Sequence, residues 1–248
     1  MAIEALIFDC DGVLVDTERD GHRVAFNQAF RDFGIDIDWD VALYGRLLKQ
    51  VAGGKERLQQ YFDKIGWPPD AGKDPLAFIA RIHEHKSLVF QERVRSGKLS
   101  LRPGINRIAD EAHSAGIRLG VCTTAREESV QAVLDLMGPE RKSRFEHVLA
   151  GDIVSRKKPD PAVYLLASER FGIEPANCMV IEDSHIGMSA ALGAGMNCVI
   201  TTSRYTEDED FTGALAVYPQ LGDPPDAHVT LNDFRRLCGK GTPDTGLE

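Results

Sequence analysis

Asp9 and Asp11 stand two residues apart in Asp9-Cys10-Asp11-Gly12, directly after an apolar run over residues 2–8. Two carboxylates this close at the end of a buried strand repel each other, and a hard cation with oxygen ligands relieves the repulsion. A second acidic pair, Glu182-Asp183, follows another apolar run and can complete the same cation site. Two further places carry polar groups of interest: Thr123 with Thr124, and Lys157-Lys158-Pro159. Taken alone, Asp-x-Asp-Gly reads equally well as a turn, because Asp and Gly both favour turns. A calcium-binding EF-hand loop fits poorly, since Gly12 falls at the fourth position where such a loop needs its glycine at the sixth. Thr123 by itself reads as the end of a strand, and Lys158 alone is ambiguous.

The elements that must position these groups follow from periodicity. Apolar runs at 2–8, 117–122, 147–150, 178–181 and 198–201 read as buried strands, with helical patterns between most of them. That alternation predicts βαβ units and a doubly wound (Rossmann-like) α/β fold with a parallel sheet. In such sheets ligands bind beyond the carboxyl ends of the strands, where all four polar stations fall. Between about residues 18 and 96 only helical periodicity remains, as in Val24, Phe26, Ala29, Phe30 and Phe33. The expected organisation is a catalytic core of 1–17 and 98–240, a helical cap domain of 18–97 inserted after the first strand, and a polar tail of 241–248. Pro103-Gly104 punctuates the return to the core.

Composition narrows the function. A net charge of −9 opposes binding to a polyanion, so no nucleic-acid partner is expected. Charged residues make up 27% of the chain and no apolar run nears the ~18 residues that cross a bilayer, so no membrane span is expected. Residues 1–7 lack a basic region and a cleavage site, so no targeting segment is read there. Cys10, Cys122, Cys178, Cys198 and Cys238 are odd in number and show no zinc-ligand spacing, which predicts reduced thiols and a cytoplasmic setting, with the chloroplast stroma as the alternative. Lys157 reads as a solvated charge, Cys10 as a packing residue, and His83, His85, His113, His147 and His228 as surface or packing residues.

Asp9-Cys10-Asp11-Gly12-Val13-Leu14-Val15-Asp16-Thr17-Glu18 resembles the first motif of the haloacid dehalogenase-like hydrolases. Residues 119–123, Lys158-Pro159-Asp160-Pro161 and residues 180–187 resemble the second, third and fourth motifs, in order. The resemblance implies a Mg²⁺-dependent phosphatase. Asp9 would be the nucleophile that forms a phospho-aspartyl intermediate, and Asp11 the acid and base. Thr123 would donate to a phosphoryl oxygen and Lys158 would stabilise its charge. Asp9, the carbonyl of Asp11, and Asp183 would hold the metal, together with Glu182.

The helical insert resembles the small cap of the phosphoglucomutase-like branch. Within it, Gly53-Gly54-Lys55-Glu56-Arg57 places a cation at the start of a helix, a position that attracts anions, although an ordinary loop ending in solvated charges reads equally well. Lys55, Arg57 and Arg126 would suit a substrate with a second anionic group. Asp16-Thr17-Glu18, His22, Tyr44, Gly53 through Arg57 and Ser203-Arg204-Tyr205-Thr206 resemble the CbbY-like sugar phosphatases. The implied substrate is xylulose 1,5-bisphosphate, linked to Rubisco metabolism, bound by a monomer through Glu18, His22, Tyr44, Gly54, Lys55, Arg57, Thr124 and Arg126. Two features depart from that pattern: the histidine comes one residue later, and Arg204 replaces a glycine. A β-phosphoglucomutase-like mutase and a catalytically silent phosphate-binding regulator are the alternatives. A phosphonoacetaldehyde hydrolase would use a cap lysine such as Lys55, but Asp11 argues against it.

Overall fold

A computed structural model describes residues 2–51 and 53–239; the tail read at 241–248 lies outside them. The first strand, β1 (Ala5–Phe8), is followed only by helices before the second: a five-residue π-type turn at Glu18–His22, then α1 (Arg23–Asp32), α2 (Val41–Leu48), α3 (Gly54–Ile65), α4 (Pro75–Arg95) and α5 (Ile105–Ser114). The chain then runs through β2 (Arg118–Cys122), α6 (Glu127–Asp135), α7 (Pro139–Lys142) and β3 (Phe145–Leu149). It continues with α8 (Ala162–Phe171), β4 (Cys178–Glu182), α9 (His185–Gly193), β5 (Asn197–Thr201), β6 (Ala216–Tyr218) and α10 (Leu231–Gly239).

The described strands form one all-parallel sheet in the order β3-β2-β1-β4-β5-β6. Side chains alternate across a strand, so consecutive apolar residues fill both faces. Leu6 and Phe8 of β1 join Val121, Ile181 and Val199 under α5, α6 and α10. Ala5 and Ile7 face the other way, joining Val180, Cys198 and Ile200 under α8 and α9. Each fully buried Leu, Ile or Phe contributes about 1.5–3 kcal/mol, so this double burial is what a continuous apolar strand is for.

The helices after β1 have a core of their own. Phe26 and Phe30 of α1 meet Trp39, Tyr44, Leu58, Phe62, Phe78 and Ile82. Phe26 and Trp39 lie with ring centroids 4.9 Å apart. Asp40 caps α2 by accepting from the Leu43 amide at 2.7 Å, and Asp74 caps α4 by accepting from the Ala77 amide at 3.0 Å.

The expected strands are present with ends shifted by one to three residues: the first begins at Ala5 rather than residue 2, and the third at Phe145 rather than 147. The sixth strand was not expected. It is three residues long, lies at the sheet edge and is only partly buried, so the short apolar stretch that holds it, Ala214 to Tyr218, does not mark it as a buried strand.

Candidate active site

Connections leave β1 toward β2 on one side and reach β4 on the other, so the carboxyl ends of β1 and β4 flank the crevice where strand order reverses. Asp9 and Glu182-Asp183 sit at those two ends. The Asp9 amide donates to the carbonyl of Ile181 at 3.0 Å, tying the loop after β1 to β4. Lys158, on the loop before α8, reaches into the same crevice. Its buried ammonium donates to Asp9 Oδ1 at 2.6 Å, Glu182 Oε1 at 2.6 Å and the carbonyl of Cys122 at 2.8 Å, which spends all three protons. The Tyr164 hydroxyl adds a 2.5 Å bond to Glu182 Oε1.

Carboxylate oxygens of Asp9, Glu182 and Asp183 converge to within 4.8 Å of one another, and all three residues are buried. Burial pushes the Asp9 carboxyl up; Lys158 opposes this, while Glu182 and Asp11 add to it. Burial, then Glu182 and Asp9, push Asp183 well up too. Three buried carboxyls destabilised by one another are the donor set a hard dication satisfies, so the residues present fit Mg²⁺. Gly12 has φ +85°, and a Cβ there would overlap the Asp183 carboxylate. Arg102 donates to the Gly12 carbonyl and to those of Thr202 (2.7 Å) and Pro219 (2.6 Å), pinning this loop to the ends of β5 and β6.

Asp11 is held by different partners. Its Oδ1 accepts from the Thr17 hydroxyl at 2.6 Å and lies 2.8 Å from His22 Nε2. Lys86 Nζ lies 2.8 Å from the other ring nitrogen, Nδ1. An ammonium only donates, so Nδ1 accepts and Nε2 carries the proton that Asp11 receives. Burial would raise the Asp11 carboxyl, but His22 and Thr17 outweigh it and hold it down at about 2. The π-type turn explains how His22 arrives there. Its amide closes onto the Thr17 carbonyl five residues back at 2.7 Å, the wide turn that carries the ring toward Asp11. Phe90 stacks on the ring at 4.0 Å.

Thr123 and Thr124, after β2, line the cavity with Asp9, Asp11, Lys158, Asp183, Glu18 and Arg57. From the cap side, the Tyr44 hydroxyl donates to Glu18 at 2.6 Å. Among the described residues Arg57 makes only long bonds, 3.4 Å to Tyr44 Oη and 3.4 Å to the Val51 carbonyl, and its buried Nε has no partner. Gly54, Arg57, Lys86, Thr124 and Arg126 line an adjoining recess that also opens on Asp11, Glu18 and His22.

Lys55 is not brought to either cavity; it pairs with Asp152 beside a separate cleft. Lys157 is not the solvated charge expected. Its side chain, 13% exposed, lies 2.9 Å from Glu56 and 3.1 Å from Asp152, so two acidic neighbours from cap and core hold it. His83 is buried and lines the recess. Sequence reasoning missed Lys86, which lies in the middle of α4 without a motif around it, and Tyr164, which lies in the first turn of α8 just past Lys158-Pro159-Asp160-Pro161.

The family model for the haloacid dehalogenase-like hydrolases matches residues 3–195, and the chain belongs to that family. Within it, the chain is 49% identical over 239 residues to a CBBY-like protein of Arabidopsis thaliana, covering 95% of this chain and 73% of that one. A crystal structure of a CbbY variant from Rhodobacter sphaeroides in complex with xylulose-(1,5)bisphosphate superposes with a TM-score of 0.81 at 38% identity, covering 88% of this chain and 94% of that one. A β-phosphoglucomutase from Clostridium difficile has the same fold, with a TM-score of 0.73 at 22% identity over 96% and 97% of the two chains. Among the described residues no helix is long and apolar enough to cross a membrane.

Proposed function

We propose that this chain is a Mg²⁺-dependent phosphatase that removes a phosphoryl group from a sugar bisphosphate, xylulose 1,5-bisphosphate, through a phospho-aspartyl intermediate on Asp9. The observation that carries the reading is the placement of two carboxylates with opposite environments in one crevice. Asp9 sits under Lys158 and beside Glu182-Asp183, while Asp11 is turned toward Thr17 and His22.

An Asp9 oxygen attacks phosphorus and the bond from phosphorus to the sugar oxygen breaks, with Asp11 giving that oxygen a proton. Asp11 then takes a proton from water as the water attacks the aspartyl phosphate, which releases phosphate and restores Asp9. The low-lying Asp11 carboxyl is the ionised form that the second step needs. A phosphate dianion arriving beside it adds like charge, which favours the protonated form used in the first step. Lys158 and the Thr123 hydroxyl face the transferring group, and the ammonium stabilises charge that grows on it. Asp9, the carbonyl of Asp11, and Asp183 would hold Mg²⁺ with Glu182 alongside; when bound, the ion supplies positive charge against repulsion between carboxylate and phosphate, roughly 4 kcal/mol per pair of unit charges at ~4 Å and an effective dielectric of 20.

Residues 18–97 act as the cap over a core of 1–17 and 98–240. Arg57, with its unspent donors, and Arg126 take the second phosphate of the substrate in the recess they line. The five cysteines, all unpaired and buried, fit a reducing compartment. The CbbY relative's complex with xylulose-(1,5)bisphosphate supports the substrate choice. The test is phosphate release with Mg²⁺ from xylulose 1,5-bisphosphate, ribulose 1,5-bisphosphate and β-glucose 1-phosphate, with Asp9→Asn as control. Preference for xylulose 1,5-bisphosphate and loss of turnover in D9N are expected. Full activity in D9N overturns the mechanism, and preference for the glucose ester overturns the substrate.

A further inference from the structure

We infer that Tyr205 is a specificity-determining residue whose hydroxyl hydrogen-bonds a neutral oxygen of the sugar portion of the substrate. This deepens the phosphatase reading above and rests on it.

Tyr205 lies on the loop between β5 and β6, on the core side, and its ring reaches the cap. A Cβ on Gly45 of α2 would stand only 2.9 and 3.0 Å from Cδ1 and Cε1 of the ring, so the glycine is what lets the ring seat against the helix. The ring also meets that of Tyr44 edge-on, with centroids 6.0 Å apart at 65°. Tyr44 in turn bonds Glu18 and Arg57, so the Tyr205 ring sits where cap and core close on the cavity. The turn that carries it is fixed from both sides: the Ser203 amide donates to Thr206 Oγ1 at 2.9 Å, and the Thr206 amide donates back to the Ser203 carbonyl at 3.1 Å.

The hydroxyl at the end of this well-held ring is buried, and among the described residues it has no hydrogen-bond partner. Buried hydroxyls without a partner are uncommon in folded proteins, and each calls for a reason. Here the residue lines the same cavity as Asp9, Glu18 and Arg57, so a bound substrate supplies the reason. Burial pushes the phenol above its ordinary range, which keeps it protonated and a donor. Lys158 and Arg57 both line this cavity and supply the charge for the anionic parts of a bisphosphate. A neutral phenol matches the uncharged hydroxyl or carbonyl oxygens of the carbon chain between them. The same contact reads the sugar and requires the cap to be closed.

Tyr205→Phe removes the hydroxyl and keeps the ring, so the packing on Gly45 and Tyr44 survives. Phosphate release with Mg²⁺ is measured for the parent and Y205F on xylulose 1,5-bisphosphate and on acetyl phosphate, which has no sugar. The expected result is a roughly tenfold fall in kcat/KM for the sugar bisphosphate, carried by KM, with acetyl phosphate unchanged. Unchanged kinetics on the bisphosphate, or an equal fall on both substrates, overturns the inference. If the parent turns over another phosphosugar instead, the substrate reading fails while the same comparison on that sugar decides the role of Tyr205. If the parent hydrolyses acetyl phosphate and no phosphosugar at all, both fail.

Discussion

His22 places its Nε2 2.8 Å from Oδ1 of Asp11. Because Lys86 occupies the other ring nitrogen at 2.8 Å, the imidazole cannot turn its acceptor side to the carboxylate without losing that bond. Removing the ring should therefore disturb proton transfer more than binding. His22→Ala is expected to lower kcat by about 10²-fold, within the range general acid–base groups supply, with KM changed severalfold at most. Lys86→Met, which frees the ring to change tautomer while leaving it in place, should lower kcat by about tenfold. Steady-state phosphate release checks both. A His22→Ala enzyme with parental kcat would show that Asp11 needs no such partner.

Lys86 also carries a stability signature. Burial lowers its ammonium from 10.5 to about 8, although Asp11 and Glu18 pull the other way. Between those two values the unfolded chain holds the proton and the folded chain does not, so the free energy of unfolding rises with pH there. The contribution is fully present above about 10.5 and is lost as pH falls through about 8. Denaturant melts from pH 7.5 to 10.5 should show this rise superimposed on the general alkaline loss, and Lys86→Met should remove it. Identical pH slopes for the two proteins would contradict the assignment.

The site was legible wherever chemistry and strand ends coincide. Asp9, Thr123 and Glu182-Asp183 each follow an apolar run that marks a buried strand, so a parallel sheet places them at one edge without knowledge of any contact. Lys86 gave no such signal. It lies inside His83-Glu84-His85-Lys86-Ser87, a polar stretch of α4 that looks solvated until α4 packs against α1 and α6. Lys157 misled for the converse reason: a lysine beside another lysine reads as surface charge, and only the approach of α3 brings Glu56 to it. The elements were readable from local periodicity, whereas partners contributed by a distant helix depend on how cap and core meet.

Lys55 and Arg57 are separated by this meeting. Both were expected to bind an anion, yet Lys55 is joined to Asp152 while buried Arg57 keeps unspent donors at the cavity. Arg57→Met should raise KM for a sugar bisphosphate by about 10–100-fold, because a buried guanidinium facing a phosphate makes charge-assisted bonds. Lys55→Met should change KM less than threefold. The Asp152 carboxyl is held down at about 2, first by the hydrogen bond from Lys55. Its contribution is present above about 3.8 and is lost as pH falls through about 2, so between pH 5 and 9 the pair should respond to salt and not to pH. A larger KM effect for Lys55 than for Arg57 would reverse the assignment.

Gly12 offers a way to test the cation site separately from turnover. Its φ of +85° suits glycine, and a Cβ would intrude on the Asp183 carboxylate. Forcing a side chain there costs about 1–2 kcal/mol in backbone strain and moves a carboxylate proposed to hold the ion. A ligand at 100 times its dissociation constant stabilises the fold by about 2.7 kcal/mol, which for a chain of this size is roughly 5–10 °C in Tm. The parent should gain such a shift on addition of Mg²⁺ and lose it with EDTA. Gly12→Ala should melt a few degrees lower than the parent without metal and gain little or nothing from Mg²⁺. An equal Mg²⁺ shift in both proteins would mean that the ion does not depend on the position of Asp183, and the proposed ligand set would have to be abandoned.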